Sequence, residues 1–114
     1  MEVMEAYERA CAVTTEHSLP VLEAAHIRPY ARGGPHAVAN GVFLRRDLHA
    51  LFDRGYITID DDYRLNLGKR LRADYGNGRV YEEFHGPSLH VPKRQSERPA
   101  PELLRWHQDN VFRG

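Results

Sequence analysis

The sequence contains one cysteine and no long apolar run. Because Cys11 is alone, it cannot form a disulfide within the chain, and a zinc site built from four cysteines is excluded. No apolar stretch approaches the roughly 20 residues that a membrane-spanning helix requires, and the sequence has no secretory leader pattern. We therefore expect a cytoplasmic protein without a membrane partner.

The sequence also lacks net charge, since 16 Lys and Arg balance 16 Asp and Glu. This balance argues against a protein that binds nucleic acid through bulk positive charge alone. The second half leans positive, with ten Lys and Arg against six Asp and Glu over 63–113. Seven histidines are many for 114 residues. The length predicts one domain over 1–114. A helix that begins at residue 2 leads us to expect the C-terminal domain of a longer protein.

The local patterns predict a mixture of short helices and short strands, an α+β fold. Glycine and proline separate most of the apolar segments. We predict helices over Glu2–Cys11, from Asp47 to a C-cap at Gly55, over Gly68–Tyr75 and over Glu102–Val111, and strands over Val21–Ile27, Val42–Leu44, Tyr56–Ile59, Arg64–Leu67, Val80–Phe84 and Leu89–Val91. The strands at 56–59 and 64–67 would form a small antiparallel hairpin. In the last helix and beyond it, Leu103, Trp106 and Phe112 are predicted to be core residues.

The segment 22–55 contains the residues that carry chemistry. An apolar strand ends in His26, a glycine-bearing loop leads to Asn40 and a second strand, and a helix follows with His49 and Asp53. Residues four apart share one helix face, so His49 and Asp53 can bind the same ion. An imidazole and a carboxylate together are suitable ligands for Mn, Ni, Zn or Mg. A histidine at the end of the strand can lie above this helix and take a proton from water. This combination predicts a phosphodiesterase that uses one metal ion.

The stretch LEAAHIRPYARGGPHAVANGVFLRRDLHALFDRGYITID resembles the ββα-metal, or HNH, nuclease motif. It is most similar to the McrA-like restriction endonuclease subgroup, and the signature residues fall on His26, Asn40 and His49. The resemblance implies a ββα-metal core at about 20–55, flanked by short helices and a small hairpin. It implies that His26 is the general base, that Asn40 orients the loop and thereby the base, and that His49 binds the ion. Thr15 stands where the subgroup has a glycine, which we interpret as a variation of the turn.

One position departs from the family pattern. Many HNH nucleases have a metal ligand immediately before the base, where this chain has Ala25. Glu23, on the same face of the strand, is an alternative ligand beside Asp53. Two other interpretations remain open: Asp53 could instead fix the helix end or pair with an arginine, and Glu23 could pair with an arginine to hold the strand.

The predicted phosphate contacts are Arg45 and Arg46, just before the helix, and His36 in the loop. The other histidines (His17, His85, His90 and His107) are predicted to be structural or to lie on the surface. The implied substrate is DNA, with RNA not excluded, and the implied role is restriction of foreign DNA. Specificity would then come from another domain of the parent protein. Double-strand cutting by a domain with one site would favour a homodimer.

Two other functions compete with the nuclease. The first is a nucleic-acid-binding module that keeps the motif but has lost catalysis, for which Ala25 is the best argument. The second is a structural metal-binding or protein-interaction domain, which would hold zinc in a closed shell of four ligands.

Overall fold

The computed structural model describes residues 2–114, and of residues 77 and 78 the backbone alone. It contains four α-helices and four strands, joined by loops and short 3₁₀ segments. The helices are α1 (Val3–Ala6), α2 (Arg46–Asp53), α3 (Lys69–Asp74) and α4 (Pro101–Asn110), and the strands are β1 (Leu22–His26), β2 (Gly41–Arg45), β3 (Ile57–Ile59) and β4 (Leu65–Leu67). The predicted α+β class is confirmed. No helix within residues 2–114 is long and apolar enough to cross a membrane.

Two antiparallel hairpins organise the chain. In the first, β1 pairs with β2 so that Leu22 lies opposite Arg45 and His26 lies opposite Gly41. In the second, β3 pairs with β4, as the alternation at 56–59 and 64–67 predicted. Helix α2 follows β2 directly and packs against both strands of the first hairpin.

Apolar side chains from both hairpins meet in one core. The inward residues include Ala25 and Val42 of the first hairpin, Leu48 and Phe52 of α2, and Leu104 of α4, all almost fully buried. The single thiol, Cys11, is buried and free within this core. Packing of this kind holds together a domain that has no cysteine pairs to bind a structural zinc.

Gly55 ends α2, as predicted. Its φ of +81° is a left-handed conformation that glycine adopts without strain, and the Tyr56 amide donates to the Leu51 carbonyl across the helix end. A β-carbon at Gly55 would lie 2.1 Å from the Val111 carbonyl oxygen. The same glycine therefore lets the end of α4 approach α2.

Three predictions for the local structure are corrected here. The first helix ends at Ala6 rather than Cys11, because Glu8 and Arg9 adopt left-handed backbone angles (φ 56° and 62°). Val80–Phe84 lies in a 3₁₀ segment rather than a strand, and Leu89–Val91 forms no strand. Next to Leu89–Val91, a single isolated β-bridge joins Ser88 to Arg64.

Two further observations concern the burial of the last helix and the backbone of the turn at Thr15. Leu103 is buried as predicted, whereas Trp106 and Phe112 are half-buried. Thr15 has a left-handed φ of 58°, a conformation that favours glycine.

Candidate active site

The hairpin geometry leaves the His26 imidazole accessible. His26 is the last residue of β1, and with Ala24 it lies on the exposed side of the strand, whereas Ala25 points into the core. Among residues 2–114, none hydrogen-bonds the His26 ring in this structure. An imidazole in this state keeps a nitrogen available to a water molecule or a substrate.

Asn40 fixes the loop that follows His26. Its side chain is fully buried; Oδ1 accepts the Arg28 amide at 2.9 Å, while Nδ2 donates to the carbonyls of Arg28 (2.9 Å) and Pro35 (3.0 Å). The Ile27 amide donates to the Asn40 carbonyl, at 2.9 Å. These are the loop-holding bonds expected of Asn40.

Gly34 makes this loop possible. A β-carbon there would lie 1.8 Å from the Arg28 carbonyl oxygen and 2.9 Å from the Asn40 amide nitrogen. Any larger residue would push the backbone away from Asn40. Glycine is thus required at position 34 because the backbone of Arg28 and the side chain of Asn40 approach it closely.

We expect Asn40→Ala to lower the free energy of unfolding by about 2 to 3 kcal/mol, because the backbone groups of Arg28 and Pro35 lose three hydrogen bonds to the buried Asn40 side chain. Urea unfolding of the purified variants measures this loss. Asn110→Ala is the matched control, since the exposed Asn110 side chain makes a hydrogen bond only to Trp106 among the described residues. Equal stability of the two variants would contradict the role of Asn40.

Helix α2 places His49 between two carboxylates. His49 Nε2 lies 3.0 Å from Asp53 Oδ2, one turn along the helix, and Nδ1 lies 2.7 Å from Glu23 Oε1 on β1. Hydrogen bonds to Asp53 and then to Glu23 hold the pKa of His49 above its ordinary value, although partial burial opposes them. Glu23 also lies 3.4 Å from the Arg46 Nε. Asp53 and Glu23 therefore approach His49 through opposite nitrogens of its ring.

A cleft of about 380 Å³ brings His26, the predicted base, together with His49 and Asp53, two of the three predicted metal ligands. We call it the His26 cleft. Its lining consists of Ala24, His26, Ile27, Pro29, His49, Asp53, His107 and Val111. Glu23 is not part of this lining, whereas Asp53, the partner of His49 Nε2, is. Within residues 2–114, no three His, Cys, Asp or Glu side chains converge as a ready-made metal cage.

His107 forms a buried wall of the cleft. Its Nε2–H donates to the Phe52 carbonyl at 2.8 Å, the Thr58 hydroxyl donates to Nδ1 at 2.7 Å, and its ring stacks on Phe52 at 3.7 Å. Because a carbonyl only accepts, Nε2 of His107 carries a proton, and in the neutral ring Nδ1 accepts from the Thr58 hydroxyl. Burial lowers the pKa of His107 to about 4. The ring thus joins α4 to the end of α2, next to Asp53.

His107 should make the stability of the protein depend on pH. The unfolded chain takes up this proton near pH 6.5 and the folded chain only near pH 4, so stability is full above pH 6.5 and falls as the pH drops through this window. At pH 4 the loss from this group should reach about 3 kcal/mol. NMR titration of the histidine ring protons, assigned with His107→Gln, measures it. A His107 ring that titrates above pH 6 would contradict the prediction.

The predicted phosphate ligands lie outside the cleft lining. The Arg45 guanidinium pairs with Asp47 through two contacts of 2.8 and 2.9 Å, and the Tyr81 hydroxyl donates to the same carboxylate. Arg46 is largely exposed beside Glu23, and His36 is exposed in the loop. Contact of these three residues with phosphate stays a prediction.

Sequence reasoning missed two features near the cleft. His107 was assigned only a general structural or surface role, and the two arginines that follow His26 in the chain, Arg28 and Arg32, were not considered. The signal for the arginines was their position directly after His26. Nothing in the sequence joined them to Trp106, which lies more than 70 positions away.

Comparison with known proteins gives a family match and structural matches. The model of the HNH endonuclease family matches residues 11–60, which contain the first hairpin, α2 and β3. The solved structure titled "Modification dependent TagI restriction endonuclease" has a TM-score of 0.63 and 24% identity to the chain, covering 96% of this chain and 35% of that one. None of the curated proteins matches the sequence. The matched residues include His26, Asn40 and His49, and this segment of the chain is similar to the HNH endonuclease family.

Proposed function

We propose that this chain is a metal-dependent endonuclease that hydrolyses DNA phosphodiester bonds with His26 as the general base. The observation that carries the proposal is the His26 cleft, which brings an accessible imidazole to the same cavity as His49 and Asp53. The similarity of residues 11–60 to the HNH endonuclease family supports the same reaction class. The finer assignments, including the ββα-metal arrangement, are part of this proposal.

The donor atoms in the cleft fit a divalent ion. Two ligand atoms about 2.1 Å from one ion, at a right angle, lie about 3 Å apart. His49 Nε2 and Asp53 Oδ2 lie 3.0 Å apart, and one imidazole nitrogen with one carboxylate oxygen suits Mn, Ni, Zn or Mg. We assign the ion to His49 and Asp53. When bound, it supplies Lewis-acid stabilisation of the negative charge on the phosphate.

Glu23 takes the orienting role in this proposal, in place of the ligand role considered from the sequence. A metal-ligating histidine commonly donates its second ring N–H to a carboxylate, which fixes the ring and its tautomer. The Glu23 carboxylate, 2.7 Å from His49 Nδ1, is in position to accept that bond. Because Glu23 lies on the far side of the ring from Asp53, the two carboxylates would not share an ion with His49 as the ring is placed.

Three further residues contribute to the hydrolysis in different ways. His26 takes a proton from a water molecule, whose oxygen then forms a bond to phosphorus as the bond to the 3′ oxygen breaks. Asn40 holds the loop next to His26 so that the ring keeps its direction. His107, neutral at physiological pH, closes the wall without adding a charge that would compete for the carboxylates.

Relaxation of supercoiled plasmid tests this function. We expect the chain to nick or linearise the plasmid with Mg, Mn, Ni or Zn, and to leave it intact in excess EDTA. A plasmid that stays supercoiled with every one of these ions, although the protein is folded by circular dichroism, would refute the nuclease.

The biological setting is a further part of the proposal. This chain spans 35% of the length of the TagI restriction endonuclease. The match therefore does not define an activity beyond this domain. We propose a role in defence against foreign DNA inside the cytoplasm, with specificity supplied by another domain of a longer protein. Cutting both strands would then engage two copies of the His26 cleft.

A further inference from the structure

Two arginine side chains from the loop after His26 lie over one indole ring. The Arg28 guanidinium is 5.1 Å from the centre of the Trp106 ring, and the Arg32 guanidinium is 5.2 Å from it. We call these three residues the Arg28–Arg32–Trp106 cluster. Arg28 lies two residues after His26 in the chain, and the next residues after Arg28 and Trp106, Pro29 and His107, line the cleft.

Several contacts hold Arg28 in place. Its Nε donates to the Arg32 carbonyl, and its backbone N–H and C=O are both bonded to the Asn40 side chain. Its guanidinium also lies against Gly33, where a β-carbon would be 3.1 Å from Nη2. A side chain held in this way loses less conformational entropy when it binds a ligand.

The charges of the cluster lack a protein counterpart. Across residues 2–114, no carboxylate lies within ion-pair distance of Arg28 or Arg32. By contrast, Arg45, Arg46 and the neighbouring Arg105 are each paired with an acidic residue. Cation–π contact with an indole offsets part of the cost of bringing two positive groups together, but it leaves their net charge in place. The cluster is therefore a fixed concentration of positive charge.

We propose that the Arg28–Arg32–Trp106 cluster binds a backbone phosphate of the substrate DNA beside the scissile position. The proposal rests on the proposed nuclease function for the identity of the ligand. A planar guanidinium binds two phosphate oxygens at once, and two such groups on the loop that follows His26 would hold the strand in register with it. The assignment differs from the phosphate contacts expected at Arg45, Arg46 and His36, since Arg45 and Arg46 are already paired with carboxylates.

Salt-dependent DNA binding in EDTA tests the cluster without depending on cleavage. We would measure the anisotropy of a fluorescein-labelled duplex with the unaltered chain, Arg32→Ala, Arg28→Ala and the matched control Arg94→Ala, an exposed arginine outside the cleft. Each lost phosphate contact should lower the slope of log K against log salt by about 0.9. We therefore expect weaker binding and a reduced slope for Arg32→Ala and Arg28→Ala, and unchanged values for Arg94→Ala.

The single tryptophan gives a second, local signal. We expect the duplex to change the emission of Trp106 in the unaltered chain, and Arg32→Ala to need more duplex for the same change. Since Arg28 also supports the loop, urea unfolding of Arg28→Ala accompanies its binding curve, and Arg32→Ala carries the conclusion if Arg28→Ala is unstable.

The outcomes separate this site from the nuclease. If Arg32→Ala keeps the slope and affinity of the unaltered chain, or if the unaltered chain binds no duplex, the phosphate site is refuted. If Arg32→Ala loses the slope as expected while the plasmid stays uncut with every metal, the site stands and the proposed nuclease function fails.

Discussion

The His26→Ala variant is expected to cleave plasmid DNA about 100 to 10,000 times more slowly than the unaltered chain, the range that a positioned general base contributes. The His26 ring is exposed at the end of β1 and makes no hydrogen bond to any residue of 2–114. Its removal therefore takes away no contact that stabilises the fold. Stability should change by less than about 0.5 kcal/mol. Metal affinity should also be unchanged, because His49 and Asp53 remain.

The measurement is an initial rate of plasmid relaxation at saturating metal, with thermal unfolding and metal titration calorimetry of the same protein. His17→Ala is the matched control, since His17 is also exposed but does not line the cleft. A His26→Ala variant that cuts at the rate of His17→Ala would show that another group takes the proton from water.

The second large effect is expected at the metal site. We expect His49→Ala to bind Mn or Ni more than about 100 times more weakly and to lose cleavage, because losing a ligand costs more than the 10- to 100-fold typical of an outer-shell partner. Asp53→Ala should weaken binding less completely and regain partial activity at high metal concentration. Calorimetric titration with Mn or Ni measures both affinities, and thermal unfolding shows whether each variant is folded.

Glu23→Gln distinguishes the two roles considered for Glu23. The amide oxygen of glutamine still accepts the bond from His49 Nδ1–H, so the variant should bind metal more tightly than Asp53→Ala if Glu23 orients the ring. A loss as large as that of Asp53→Ala would instead make Glu23 a ligand. Unchanged metal binding in His49→Ala would move the ion to a different site altogether.

Local patterns predicted the parts of the fold that are determined by neighbours in the chain. The β3–β4 hairpin follows from alternating apolar residues around a polar turn, and the end of α2 follows from Gly55 with its left-handed backbone. The strand predicted over Val80–Phe84 was wrong for a different reason. Its composition is typical of a strand, but a strand also needs a partner edge, and Val80 is 64% exposed in a segment that pairs with neither hairpin.

The sequence by itself determined the helical face shared by His49 and Asp53, because a spacing of four residues places two side chains together on any α-helix. Only the tertiary structure decided which groups complete the site. His107 becomes neutral because α4 packs it beneath Phe52 and Thr58, and Trp106 meets Arg28 and Arg32 because α4 crosses the loop after β1. Contacts of this kind depend on how distant segments pack, which the spacing of residues along the chain does not specify.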